Sequence, residues 1–116
     1  MAHSWESSQR LIGLLDGRWT LVVIAELRDG GRRYQELDDA LEGVSHKVLT
    51  DTLRRAERDG LIVRHLDPGR VETATLYTLT GLGRSLDNPL HVFERWVNDN
   101  WSGVEEARLL WDRRGN

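Results

Sequence analysis

Lys47, Thr50, Asp51, Arg54 and Arg58 recur at steps of three and four, which on a helix at about 100° per residue gathers them on one side. Apart from Asp51, these are types that read the edges of base pairs. Lys and Arg donate to guanine O6 and N7, and Thr meets a thymine methyl. Ser45 and His46 stand just ahead, at the end of such a helix that reaches base edges when it enters a major groove. Asp51 would repel phosphates unless it accepts from a cytosine amino group or orients Lys47 or Arg54 across one helical turn, and the orienting role is expected. The other side of the helix, with Val48, Leu49, Leu53 and Ala56, is expected to face inward. Alone, such a helix is also an ordinary solvated face, so the reading depends on the elements around it.

Those elements follow from apolar periodicity and punctuation. A short helix is expected from Ser7, with Leu11, Leu14 and Leu15 on one side, stopped by Gly17. The stretch Trp19–Ala25 is apolar nearly all round, as in a buried central helix, and Gly30-Gly31 ends it. Tyr34, Leu37, Ala40 and Leu41 give a third helix, followed by a turn at Glu42-Gly43-Val44 and Ser45 as the N-cap of the polar-faced helix, which runs from His46 to about Asp59 and stops at Gly60. Two helices joined by about four residues that include a glycine form a helix-turn-helix. Leu61–Leu66 and Ala74–Leu79 have the alternation of strands, and Asp67-Pro68-Gly69-Arg70 between them is a turn signal. A hairpin placed directly behind the second helix of a helix-turn-helix is a wing. Arg70 at its tip would touch a phosphate or enter a minor groove, and Arg32 and Arg33, ahead of the first helix of the motif, would hold backbone phosphates.

Thr80 caps a further helix, and from Leu86 the chain stays helical in pattern, with Pro89 suited to a first helical turn. Leu90, Phe93, Val97, Val104, Ala107 and Trp111 alternate at three and four with Asn100 in register, as in a short coiled-coil seam, and Trp96 and Trp101 flank it. This tail is expected to be a dimer element, because large apolar patches are disfavoured on monomers. The expected architecture is mainly α with a small β-hairpin: a winged helix-turn-helix domain over residues 7–86 and a helical dimerisation extension over 87–114.

The ordered set Gly17-Arg18-Trp19-Thr20, Leu27-Arg28-Asp29-Gly30, Arg33-Tyr34-Gln35-Glu36-Leu37, Val44-Ser45-His46-Lys47-Val48-Leu49-Thr50, Leu53-Arg54, Arg58-Asp59-Gly60-Leu61-Ile62, Tyr77-Thr78-Leu79-Thr80 and Leu82-Gly83-Arg84-Ser85-Leu86 resembles the HxlR-type regulators, in register from about Leu11 to Leu90. The resemblance implies a homodimeric winged-helix DNA-binding regulator, with the second helix of the motif as recognition helix and the terminal helices forming the dimer. The chain departs from the family in three places. The stretch Ser4-Trp5-Glu6-Ser7 lacks the cysteine through which many members sense oxidants and electrophiles, Gly31 stands where proline is frequent, and Ala56 occupies a site usually larger.

Composition narrows the reading further. The chain has 116 residues and no cysteine, which suits one domain and removes disulfides and thiolate chemistry. Neither a signal peptide nor a membrane span is visible at the start or in the longest apolar run, so a cytoplasmic protein with no membrane partner is expected. The net charge of −3 is opposite to that of a general nucleic-acid binder, so the argument for double-stranded DNA rests on where the charges sit. His3, His46, His65 and His91 lack metal-ligand spacing, and Gly81-Leu82-Gly83-Arg84 lacks the third glycine and the strand context of a dinucleotide loop. Neither enzyme activity, a metal nor a cofactor is expected. The expected function is sequence-specific regulation by a homodimer on an inverted repeat. The alternative is a winged-helix protein-interaction module kept off DNA by its acidic balance, with Asp51 and Asp38-Asp39 as the motive. With no cysteine switch, a small-molecule effector would need an apolar cavity, for which Trp5, Trp19, Trp96 and Trp101 are the candidate walls; the simpler role for them is dimer core.

Overall fold

The computed structural model describes residues 5–15, 19–66 and 74–115. The turn bearing Arg70 lies outside these, as do Gly17 and Ser4. Among the described residues, six helices and three strands follow in the order α1 (Trp5–Leu15), α2 (Thr20–Glu26), β1 (Arg32–Arg33), α3 (Tyr34–Ala40), α4 (His46–Arg58), β2 (Ile62–His65), β3 (Leu76–Leu79), α5 (Gly81–Arg84) and α6 (Asp87–Arg113).

The core is built where α2, α3 and α4 turn their apolar sides to one another and to the sheet. Val23, Ile24 and Leu27 of the α2 segment, Leu37 of α3 and Leu49, Leu53 and Ala56 of α4 are buried together with Leu61, Ile62, Tyr77 and Leu79. Trp19 and Leu14 pack against the margin of this cluster. Val48 departs from its expected place: it is 40 % exposed, and Thr52, only 3 % exposed, takes the inward position. The reason is angular. On a helix Thr52 falls nearer the mid-line of Leu49, Leu53 and Ala56 than Val48 does, and a Thr hydroxyl at such a site is tolerated because it can bond back to the preceding turn.

The turn between α3 and α4 forms for local reasons. Ser45 is extended and its Oγ accepts from the Val48 amide at 3.1 Å, which satisfies one of the orphan donors at the start of α4. Gly43 adopts φ 87°, a region that side chains with a Cβ rarely enter, so the chain reverses here at little cost. α3 begins in a comparable way, with the Glu36 carboxylate accepting from the Arg33 amide at 2.8 Å.

The sheet has one strand more than a hairpin. It is antiparallel in the order β1-β3-β2, with Ile62 opposite Leu79 and His65 opposite Leu76 on one side of β3, and Arg32 opposite Tyr77 and Arg33 opposite Leu76 on the other. Arg32-Arg33 has no alternation to betray a strand; it is held by pairing to a β3 edge that would otherwise lie open. Gly83 seals the far end. A Cβ there would collide with the Leu61 carbonyl oxygen, so only glycine lets α5 close against the start of β2, where Thr80 Oγ1 also donates to the Gly60 carbonyl at 2.6 Å.

α6 runs for 27 residues, unbroken through Ser102-Gly103, which is about 40 Å of helix. Its first turns are fastened to the body by Leu90, which is 8 % exposed, and by a charge cluster. The Arg28 guanidinium lies 3.0 Å from Glu94 Oε1 and 3.6 Å from Asp87 Oδ1, and His91 sits 3.4 Å from the same Asp87 oxygen. The remainder extends past the body. The radius of gyration is 17.2 Å and the longest extent 58 Å, whereas a compact chain of this length would have a radius of about 13 Å.

Candidate nucleic-acid interface

α4 presents a continuous polar face. Ser45, His46, Lys47, Arg54 and Arg58 are exposed, whereas Leu49, Leu53 and Ala56 are buried behind them. Among the described residues, Arg54 and Arg58 make no hydrogen bond or ion pair, so their guanidinium groups are available to an outside acceptor. Lys47 is engaged: its Nζ lies 2.9 Å from Asp51 Oδ2, one turn further on. That bond and the lysine charge hold the Asp51 carboxyl below its ordinary value, so Asp51 is ionised at neutral pH and the pair is formed there. This is the pairing across one helical turn expected of Asp51, and it offsets the Lys47 charge.

Thr50 sits between the two sides. It is half-buried, and its Oγ1 lies 3.1 Å from the hydroxyl of Tyr34, a residue of α3 that is itself 7 % exposed. The same hydroxyl is 3.3 Å from His46 Nδ1 and 3.4 Å from the His46 carbonyl oxygen, while the two rings stack at 6.1 Å with 18° between planes. His46 Nε2 faces Asp38 Oδ2 at 3.6 Å. Tyr34 therefore touches two members of the polar face from beneath. The sequence marks it only as one apolar position of α3, and its hydroxyl is the signal that could have drawn attention to it.

The outlying cations divide. Arg33 is half-buried and donates from Nη1 to the Ala74 carbonyl at 2.7 Å, which ties β1 to the strand that leads out of the wing. Arg32 Nε reaches the Glu26 carbonyl at 3.5 Å. Arg70 lies outside the described residues.

Along α6 the seam residues behave according to their height. Leu90 belongs to the intrachain core and Val97 is half-buried, whereas Phe93, Trp96, Trp101 and Trp111 are between 41 % and 61 % exposed. Phe93 and Val97 line a groove of about 410 Å³ together with Leu21, Val22 and Ala25 of α2, and Val104 and Trp111 line another near the helix end. Arg108 is stacked 5.0 Å over the Trp101 ring. The four candidate cavity walls have different neighbours among the described residues. Trp19 faces Val48 and Thr52 of α4, Trp96 lies beside Pro89 and Val92, and Trp5 is 70 % exposed. Among the described residues no helix is long and apolar enough to cross a membrane, and no group of three His, Cys, Asp or Glu is placed to hold a metal ion.

This arrangement recurs in known proteins. The HxlR-like helix-turn-helix family model matches residues 14–105. The HTH-type transcriptional regulator sll1512 of Synechocystis is 37 % identical over 104 residues, covering 88 % of this chain and 76 % of its own. The HTH-type regulator YtcD of Bacillus subtilis is 31 % identical over 114 residues, covering 89 % and 87 %. Among solved structures, a MarR-family transcriptional regulator from Porphyromonas gingivalis W83 superposes with a TM-score of 0.76 at 27 % identity, covering 86 % of this chain and 97 % of that one. The reduced form of YodB from B. subtilis superposes at 0.66 and 29 %, covering 84 % and 92 %. The match spans the helix-turn-helix, the sheet and most of α6, so the chain belongs to the HxlR-like helix-turn-helix family of DNA-binding transcriptional regulators.

Proposed function

We propose that the protein acts as a homodimer that binds an inverted repeat in double-stranded DNA, with one α4 helix in each of two successive major grooves. Ser45, His46, Lys47, Thr50, Arg54 and Arg58 form the reading end, and Arg33 and Arg70 are assigned contacts with the backbone and minor groove. The observation that carries the reading is the outward face of α4, where two arginines without a partner in the described chain stand on a helix whose opposite side is fully buried. Such a face has a rigid base and unspent donors, which is what bidentate contact with guanine needs. The dimer is supported by α6: four large aromatics on one helix remain 41–61 % exposed, more apolar surface than a monomer of this size normally leaves in water.

The test is a binding titration on a duplex selected by the protein from genomic fragments. Arg54→Ala should weaken specific binding by about 1–3 kcal/mol while changing non-specific binding little, as expected for a base contact. Arg113→Ala, near the end of α6, serves as the control for general charge. Equal losses at both positions would show attraction to the polyanion alone.

A further inference from the structure

We propose that Tyr34 is a positioning residue for sequence recognition, its buried hydroxyl deciding which hydrogen-bonding groups Thr50 and His46 turn toward base edges while it touches no DNA itself. The proposal rests on the DNA-binding reading of α4. Tyr34 is 7 % exposed, so its phenol works within the protein. Around the hydroxyl lie Thr50 Oγ1 at 3.1 Å, His46 Nδ1 at 3.3 Å and the His46 carbonyl oxygen at 3.4 Å.

Proton counting favours one arrangement. A phenol has one proton to give, and the carbonyl oxygen can only accept. With the Tyr34 proton serving His46, the Thr50 hydroxyl gives its own proton to the Tyr34 oxygen. Thr50 then shows the groove lone pairs and a methyl group, never a donor. That pattern suits an exocyclic amine, cytosine N4 or adenine N6, or a thymine methyl, and rejects guanine O6 and N7. The His46 ring is fixed on the same anchor, stacked on Tyr34 at 6.1 Å, with Nδ1 occupied and Nε2 toward Asp38 at 3.6 Å. Without the phenol hydroxyl, Thr50 is free to rotate and to present either sense, so the discrimination at its base step falls while the rest of the interface stands.

The test uses the full chain as wild type, Tyr34→Phe, Thr50→Val and the double variant, each with a duplex library randomised across one half-site, and reads the bound sequences alongside thermal melting. Wild type should enrich a motif. Tyr34→Phe should keep the salt dependence of binding but lose about five- to tenfold of the preference at one base step, within the range of a single mismatch. Thr50→Val should lose preference at that same step, with no further loss in the double variant. A merely structural role would lower affinity evenly at all positions, and that result, or an unchanged preference in Tyr34→Phe, overturns the proposal. Thr50→Val alone decides the matter should Tyr34→Phe fail to fold, since full preference without the Thr50 hydroxyl also overturns it. A wild type that binds without enriching any motif overturns the recognition reading of α4 itself, and this inference with it.

Discussion

At the scale of single residues, the Lys47–Asp51 pair sets the charge that the leading turn of α4 offers in the proposed DNA contact. The Asp51 carboxyl has its pKa depressed in the folded protein by Lys47, so whatever the pair gives the folded state is complete above the ordinary carboxylate range and lost as pH falls through the lowered value. At neutral pH the pair is closed and Lys47 is partly neutralised. Asp51→Asn should therefore free the ammonium group and remove a negative charge. Non-specific DNA affinity should rise about threefold or more and the salt slope steepen, by about one for each added phosphate contact, with melting unchanged. A binding titration at two salt concentrations checks this, and a loss of affinity would show Asp51 accepting from a base instead. The polar face of α4 was legible in the sequence because period and residue type agree there, and so was the pairing of Asp51 with Lys47. Two features were not. Val48 and Thr52 exchange the places that side-chain polarity assigns them, since position on the wheel outweighs polarity when a hydroxyl can bond locally. The Tyr34 hydroxyl was hidden because a tyrosine in an apolar stripe reads as packing.

Among the elements, α6 links the recognition domain to whatever partners its far half, and the link is a small set of contacts. Arg28 stands at the end of α2, with a side chain only 20 % exposed, and holds both Asp87 and Glu94. Removing it leaves the Asp87 oxygen, already without a hydrogen-bond partner, with His91 at 3.4 Å as its one remaining ion-pair neighbour among the described residues. Arg28→Ala should cost about 2 kcal/mol of stability, the scale of stranding a partly buried charge-assisted contact, measurable by denaturant unfolding. It should also weaken binding to a full inverted repeat more than to one half-site, because in the proposed dimer the angle of α6 would set where the two α4 helices fall. Gly83→Ala should destabilise by about 1–3 kcal/mol, since the new methyl group must push α5 off the Leu61 carbonyl. The helices were legible in their order and in the Ser45 and Thr80 caps, whereas α2 ends at Glu26, ahead of the glycine pair expected to stop it. β1 was not, because two arginines carry no strand signal and are ordered by the edge they pair with. Leu90, the first residue of the seam, proves to be a core residue: the apolar stripe of α6 is continuous, but its first turn lies on the body and its last turns lie beyond it.

For the molecule as a whole, the net charge of −3 and the DNA-binding family membership are reconciled by segregation, with exposed arginines on α4 and the carboxylates of Asp87 and Glu94 occupied by Arg28 on another side. An acidic total also limits wandering attachment to polyanions, and in the proposed dimer specificity then comes from presenting α4 twice in register. The elongated body suits this: a helix of 27 residues on a small domain can set two recognition helices about one turn of DNA apart when two copies pair. Truncation after Asn98 should keep the anchored turns of α6 and remove Trp101, Val104 and Trp111, giving a folded monomer by sedimentation. The central claim, a dimer reading two half-sites, is tested most directly by titrating the selected inverted repeat and an isolated half-site and counting chains per duplex. The account predicts two chains on the full repeat, bound together, with the half-site at least about a hundredfold weaker, as expected when the second contact becomes intramolecular. One chain per duplex, with equal affinity for half-site and full repeat, would contradict it.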